Sequence, residues 1–319
     1  LLDTFRTKAA AEEMSVILEE VASGSTRYDM DDAIKVMEEW REGIVLPEQN
    51  TYVVSDDIDT LIGSALGEGL DWKQDWMNRS LGPLRKGDLV MLAKRPDSGG
   101  TSFLAGQANC FARQIAAEQC VLWINNEQEG NKVKLRILQE GIERNNEDIL
   151  KSPQAAKELY EKQVAPLKRM IVIDKPGVTC REVELFCEQY NPSVIIIDQL
   201  WKMQGKGDIS DVRCQTEIAN WARELAKTHA GVIGVYQLDG VAEGMDYPGM
   251  DRIYGSKTSV QGESDLIICM GRVHEQGKEN IRYFHFPKNK MAGGGKLFDP
   301  AYKQMKHESC FNQATGVFK

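Results

Sequence analysis

The run Ala93-Lys94-Arg95-Pro96-Asp97-Ser98-Gly99-Gly100-Thr101-Ser102 places two glycines and three hydroxyls just after a lysine and an arginine. Residues of these types in this order suit the cradling of phosphate oxygens. In the pattern G-x-x-x-x-G-K-[S/T], backbone N–H groups surround the phosphates, a lysine reaches the outer ones, and a Ser or Thr hydroxyl holds Mg²⁺. Gly99 and Thr101 stand where that pattern needs them, but Lys94 takes the first glycine position and Gly100 stands where the lysine belongs. Arg95, Pro96, Asp97, Ser98, Gly99, Gly100, Thr101 and Ser102 are therefore the expected nucleotide-binding loop, with one main charge missing from its usual place.

Further chemistry is expected where apolar runs end in polar residues. Val194-Ile195-Ile196-Ile197 reads as a buried strand delivering Asp198, the position from which an acid supports Mg²⁺ beside a phosphate loop, so Thr101 and Asp198 are the expected metal pair. The residue after Asp198 is Gln199, which cannot take a proton from water, so the general base must come from another strand tip. Trp123-Ile124-Asn125-Asn126 leads to Glu127, the candidate base, with Glu129 as the fallback. Val232 to Tyr236 ends in Gln237, a neutral amide suited to sensing a γ-phosphate and relaying its presence to the next loop. That loop, from Asp239 to about Glu263, is long and carries Arg252 and Lys257, and loops of this length are functional or disordered.

These side chains need a scaffold of alternating elements. Gly87-Asp88 opens the apolar run Leu89 to Leu92, and after the loop Phe103, Leu104, Ala105, Ala108 and Phe111 recur at helical spacing. Strand, tight turn and helix aim free N–H groups at an anion. Further strands are expected at Val121 to Ile124, Ile171 to Asp174, Leu266 to Met270 and Ile281 to Phe286, with helices around Lys132 to Glu143, Cys180 to Tyr190 and Gln215 to Thr228. Such alternation forces an α/β fold with a mostly parallel twisted sheet flanked by helices, and ligands bind at the carboxyl ends of its strands. The last strands lack intervening helices and suggest an antiparallel edge.

Upstream, Phe5, Met14, Ile17, Leu18 and Val21 mark one amphipathic helix, and Ala33, Val36, Met37, Trp40 and Ile44 mark a second that opens near Asp29 or Asp31. Two short helices must dock on the main domain or on a neighbouring subunit. Residues 46–57 read as a connector, dividing the chain into a helical element, 1–52, and a large domain, 53–319. The 319 residues, with a formal net charge of −9, show no global basic footprint, so any nucleic-acid contact must be local. No stretch is apolar and long enough to span a bilayer, and seven cysteines without metal-ligand spacing read as reduced thiols of a cytoplasmic protein. Opening on Leu1, the chain reads as a fragment or processed product.

Gly-Asp-Leu-Val, Arg-Pro-Asp-Ser-Gly-x-Thr, Asn-Glu after the next strand, Ile-Ile-Ile-Asp-Gln-Leu and Val-Tyr-Gln-Leu follow one another in an order that resembles the RecA-like motor domain of DnaB-type hexameric replicative helicases. The likeness is strongest to phage-type members, which would place the chain in the cytoplasm of a bacterial host, and it covers about Leu81 to Lys290. It implies a RecA-like P-loop NTPase core, a small N-terminal helical linker element that packs on the adjacent subunit, and an ATP-dependent, 5′ to 3′ DNA helicase acting in replication. The implied cofactors are ATP, or another NTP, and Mg²⁺. The implied partners are single-stranded DNA, five further copies in a ring, and a primase or other replisome protein, fused or separate.

Residue by residue, the resemblance gives Thr101 and Asp198 to the metal, Glu127 to the attacking water, and Gln237 to coupling of phosphate state to DNA. It makes Lys202, Lys206, Arg252 and Lys257 the DNA contacts, and Lys288 and Lys290 the cations offered to a neighbour's γ-phosphate. The family's finger is Lys-x-Arg; here it is Lys288-Asn289-Lys290, a point charge in place of a fork. Gly100 is the larger departure, and its expected consequence is nucleotide held by backbone N–H groups and Mg²⁺ with hydrolysis badly slowed. Lys94 is a candidate substitute from the other end of the loop. A RecA-like recombinase, another ATPase on this core and a non-hydrolysing nucleotide-binding scaffold remain the alternatives.

Overall fold

The computed structural model describes residues 2–41, 69–126, 129–204, 212–254, 257–292 and 299–319. The connector expected at 46–57, Glu127 and Lys206 lie outside the described residues, as do the side chains of Phe5 and Lys257. The chain divides into two units, residues 1–67 with 205–208 and residues 68–204 with 209–319.

In the first unit, α1 (Leu2–Ala22) and α2 (Met30–Arg41) pair through Ile17, Ala33 and Val36, with Met14, Val21 and Tyr28 packed around them. A reciprocal cap fixes the start of α2. Asp32 donates its N–H to the Asp29 carboxylate at 3.1 Å, and Asp29 donates its own to Asp32 at 3.0 Å. The apolar stripes are only half used by this pairing, because Leu18, Ile34, Met37 and Trp40 remain exposed.

In the second unit, α3 (Asp75–Ser80) precedes β1 (Leu89–Lys94), which runs through the phosphate loop into α4 (Gly100–Gln114). Then follow β2 (Cys120–Asn125), α5 (Gly130–Ile142), α6 (Asn146–Lys151), α7 (Pro153–Gln163), β3 (Met170–Asp174) and α8 (Cys180–Tyr190). The chain continues as β4 (Pro192–Asp198), α9 (Val212–Thr228), β5 (Gly231–Gln237), α10 (Lys257–Glu263) and β6 (Leu266–Gly271). It ends in β7 (Ile281–Asn289), β8 (Lys306–Asn312) and β9 (Val317–Phe318). The sheet order is β3-β2-β4-β5-β1-β6-β7-β8-β9, parallel from β3 to β6 and antiparallel from β6 to β9. This is a RecA-like α/β sheet with an antiparallel extension.

Two differences from the sequence expectation have plain causes. The loop expected from Asp239 to Glu263 ends in a helix, α10. Its Gly262 and polar residues mask a short helical turn whose buried anchor is Val260. Strand β8 alternates exposed Lys306, Glu308 and Cys310 with more buried neighbours, and its polarity reads as loop when its partners are unknown.

Side chains alternate between the two faces of each strand, which fixes where the polar strand tips point. Val90 and Leu92 of β1, Ile233 and Val235 of β5, Val194 and Ile196 of β4, and Val121 and Trp123 of β2 share one core with Phe103, Leu104 and Phe111 of α4. Leu89, Met91, Val232, Ile195, Ile197, Leu122 and Ile124 face the other core, against Ile218, Ala222 and Leu225 of α9. By the same alternation, Lys94, Gln237, Asp198 and Asn125 fall on the α4 face at the carboxyl ends of their strands. Among the described residues no helix is long and apolar enough to cross a membrane.

Candidate active site

Two left-handed residues shape the phosphate loop. Asp97 has φ 56° and Gly99 has φ 92°, and such reversals turn successive N–H groups toward one concave side. Gly99 is the N-cap of α4, its carbonyl accepting from the Phe103 N–H at 3.0 Å, so the helix N-terminus opens into the concavity. The loop is braced internally by Ser98, whose hydroxyl donates to the Arg95 carbonyl at 2.8 Å.

A cavity of about 540 Å³ lies against this loop, lined by Asp97, Gly99, Gly100, Thr101 and Ser102 on one side and by Lys132, Arg136, Gln139 and Asn146 on another. Lys94, Arg272 and Arg282 complete a wall rich in cations. Five basic side chains around one set of inward N–H groups make a focus of positive potential in an otherwise acidic chain, which suits a polyphosphate.

The arginines are structural members of the loop as well as charges. Arg282, only 1% exposed, donates through Nε to the Ser98 carbonyl at 2.6 Å, and Arg272 donates through Nη1 to the Asp97 carbonyl at 3.2 Å. Burial, with the neighbouring Arg272 charge, lowers the Arg282 guanidinium to about 10, which leaves it charged at neutral pH. Sequence reasoning missed both. The available signals were an arginine inside the apolar strand run 281–286 and another immediately past the tip of β6, the strand beside the phosphate loop.

Lys94 is placed by the alternation of β1 on the α4 side, and only 5% of it is exposed. Its methylene stem runs across Gly100. A Cβ built on Gly100 would fall onto Lys94 Cδ and lie 2.6 Å from Cε. The loop returns on itself, so its two ends, Lys94 and Gly100, are neighbours in space.

Strand pairing fixes the remaining expected residues. Gln237 is the register partner of Lys94, and Asp198 that of Asn125. Asp198 is fully buried. Glu129 is exposed and pairs with Lys132 at 3.8 Å. Glu127 lies in the segment between Asn126 and Glu129, whose flanks are anchored by Asp174 at the tip of β3. The Asp174 carboxylate accepts from Asn125 Nδ2 at 2.7 Å and from the Gly130 N–H at 2.8 Å, and Asn126 Oδ1 accepts from the Gly177 N–H at 3.0 Å. Asp174, which the sequence alone did not single out, thus ties the tip of β2 to the start of α5.

Arg95 turns away from the cavity. It donates to the Leu238 carbonyl at 3.0 Å and pairs with Glu243 at 2.8 Å, joining the phosphate loop to the segment after β5. In that segment the Tyr254 N–H donates to the Gln237 carbonyl at 2.9 Å, and the Tyr254 ring meets Trp201 edge-on at 6.0 Å. Lys202 Nζ lies 5.4 Å from the Trp201 ring centroid. The loops following β4 and β5 are thus in contact, and Lys202 is held at their junction. Arg252 pairs with Asp251 at 3.2 Å.

Lys288 and Lys290 lie elsewhere. Lys288 is in β7 and Lys290 follows its last residue; β7 is antiparallel to β6 and Leu266 pairs with Asn289, so both lysines sit at the end of the sheet opposite the phosphate loop. Lys288 donates to the Gln261 and Gly262 carbonyls, and Lys290 is exposed. Both therefore lie away from the phosphate loop of the same chain.

Parallel-sheet topology, a glycine-turned loop opening onto a helix N-terminus, and polar residues at adjacent strand tips define a RecA-like P-loop NTPase. The family model for the DnaB-like helicase C-terminal domain matches residues 69–285, and the chain belongs to that family. Its fold is similar to that of a DnaB-like replicative helicase described with its interactions with primase, at 15% identity and TM-score 0.70, covering 99% of this chain and 76% of that one. It is also similar to a second solved structure, that of an ATPase domain, at 16% identity and TM-score 0.63, covering 82% and 95% respectively. No curated protein matches the sequence.

Proposed function

We propose that the chain is the ATP-driven motor of a replicative helicase, moving along single-stranded DNA as a ring of six copies and separating strands ahead of it. The observation that carries this reading is the bonding between the phosphate loop and the segment after β5: Arg95 to the Leu238 carbonyl, and Lys94 O accepting the Leu238 N–H at 2.9 Å. A change in phosphate occupancy at the loop is thereby transmitted to the segment carrying Arg252, Tyr254 and Lys257, which with Lys202 and Lys206 would grip the DNA backbone.

Within a nucleotide-bound subunit, the loop N–H groups and the N-terminus of α4 hold the phosphates. The Thr101 hydroxyl and the buried Asp198 carboxylate fit a hard cation, which takes oxygen ligands and keeps several waters, so a cluster of three protein carboxylates is not required. Bound Mg²⁺ would neutralise charge on the phosphate oxygens. Glu127 would accept the proton of the attacking water, and Gln237 would report the γ-phosphate to Tyr254. Lys290, with Lys288, would come from the adjacent copy, as their distance from their own loop demands. The exposed Met37 and Trp40 of α2 would be covered in the ring by a neighbour, making the helical element a linker.

A primase is the natural partner, since a structural neighbour is described with one. The work would take place in the cytoplasm of a bacterial host, a reading supported by the likeness to phage-type members. Slow turnover follows from Gly100 if no other cation reaches the phosphates, and on that condition a non-hydrolysing scaffold is the competing reading. Strand separation on a forked duplex tests the proposal. ATP-dependent release of the displaced strand by closed rings supports it, and filaments without strand release would favour a recombinase.

A further inference from the structure

We propose that Lys94 is the phosphate-binding lysine of this motor, delivered from the last residue of β1, and that Gly100 is glycine because Lys94 needs the space. The proposal rests on the nucleotide-driven reading above and names the residue that makes it possible.

A P-loop lysine ordinarily roots at the first residue of the helix and reaches back over the loop. Here that residue is Gly100, and the volume its Cβ would fill is occupied by the Cδ and Cε of Lys94. The ammonium is one bond, about 1.5 Å, beyond Cε, so it lies within roughly 4 Å of the point where the usual lysine begins. Lys94 also lines the cavity beside Gly99, Gly100 and Thr101. Its depth is not accidental. The alternation that puts Val90 and Leu92 in the α4 core sends the next even residue to the α4 side, and the Leu238 N–H bond to the Lys94 carbonyl at 2.9 Å pins its backbone. The lysine is only 5% exposed and lies beside the loop whose N–H groups mark where an anion would sit.

A side chain at 100 and the present course of the Lys94 stem are therefore mutually exclusive. Any side chain at 100 must push the Lys94 stem aside, and a lysine at 100 has room only if residue 94 is small. If Gly100 were a mere loss, adding a methyl there would be harmless, because Ala suits the first turn of a helix better than Gly. Under the present proposal the same methyl evicts the lysine.

The test measures binding of a fluorescent ATP analogue with Mg²⁺, together with ATP turnover, for the unaltered chain, Lys94→Met, Gly100→Ala and the double variant Lys94→Ala/Gly100→Lys. Lys94→Met keeps the stem and removes the charge. Loss of one charge-assisted contact weakens binding by roughly 10- to 150-fold. The expected result is that loss in Lys94→Met, a loss of similar direction in Gly100→Ala, strongly reduced turnover in both, and recovery in the double variant. Unchanged binding and turnover in Lys94→Met, or in Gly100→Ala, would overturn the proposal. An unaltered chain that fails to bind while the double variant binds would overturn it too, leaving the motor reading intact. Failure of both to bind would remove the nucleotide reading itself.

Discussion

Arg282, at the start of β7, holds the carbonyl of Ser98 in the phosphate loop at 2.6 Å, 184 residues away in sequence. The bond is buried, and the same guanidinium also donates to the Glu279 and Ile281 carbonyls and lies 5.0 Å from the Phe311 ring. No carboxylate appears among these partners. The loop is thus fastened by a cation whose charge stays available to the cavity, and Arg282→Gln is expected to lower stability by about 1.5–3 kcal/mol. Nucleotide affinity should fall with it, read by fluorescent nucleotide titration under conditions where the variant remains folded. An affinity equal to that of the unaltered chain would separate Arg282 from the site.

Asp174 makes a different prediction, because it touches the flanks of the Glu127 segment and not the loop. Removing its carboxylate in Asp174→Ala frees the Gly130 N–H and Asn125 Nδ2. Turnover should drop by about tenfold or more, since loosening a charge-assisted bond by a kcal/mol or two misplaces the base. Nucleotide affinity should change little. Gly130→Ala should reproduce the effect, as a Cβ there would lie 2.6 Å from Asp174 Cβ. A loss confined to affinity in either variant would contradict the assignment.

If Lys290 serves the adjacent copy, its effect must be seen between subunits. Rings assembled from increasing fractions of Lys290→Ala should lose turnover in a way that depends on which neighbour carries the change, whereas isolated protomers should bind nucleotide as before. Lys290→Arg should raise turnover severalfold by restoring a planar fork. Equal nucleotide binding and equal turnover in all mixtures would rule out a role in trans.

Asp88 gives a pH signature. Burial raises its carboxyl from 3.8 to about 6, against the Arg85 N–H that favours the charged form. The folded pKa lies above the unfolded one, so the folded chain holds the extra proton between about pH 4 and 6 and loses stability as pH rises through that window. With its partial exposure discounted, the loss is on the order of 1–2 kcal/mol. Asp88→Asn should be more stable than the unaltered chain at pH 7 by that amount, with the gap closing below pH 4 in urea titrations. A pH-independent gap would mean that Asp88 does not titrate in this window.

The motor's frame was legible in the sequence because buried parallel strands are written as apolar runs, and each run ended in the residue that the fold places at its tip: Lys94, Asn125, Asp198 and Gln237. Residues whose role depends on long-range pairing were not. Arg272 and Arg282 meet the phosphate loop only because β6 and β7 pair beside β1, and Asp174 reaches Gly130 only because β3 flanks β2. Polar β8 was hidden for the same reason. Lys94 was visible but misplaced, since spacing along the chain says nothing of a loop whose ends return to each other. The strand parity that sends it over Gly100 could have been counted from Val90 and Leu92.

ATP turnover by the unaltered chain, measured against increasing single-stranded DNA, is the most direct measurement of a ring motor fuelled through this loop. Turnover that rises with DNA and saturates, and that Lys94→Met abolishes, is the predicted result. Turnover absent in the unaltered chain, or present but indifferent to DNA, would contradict it.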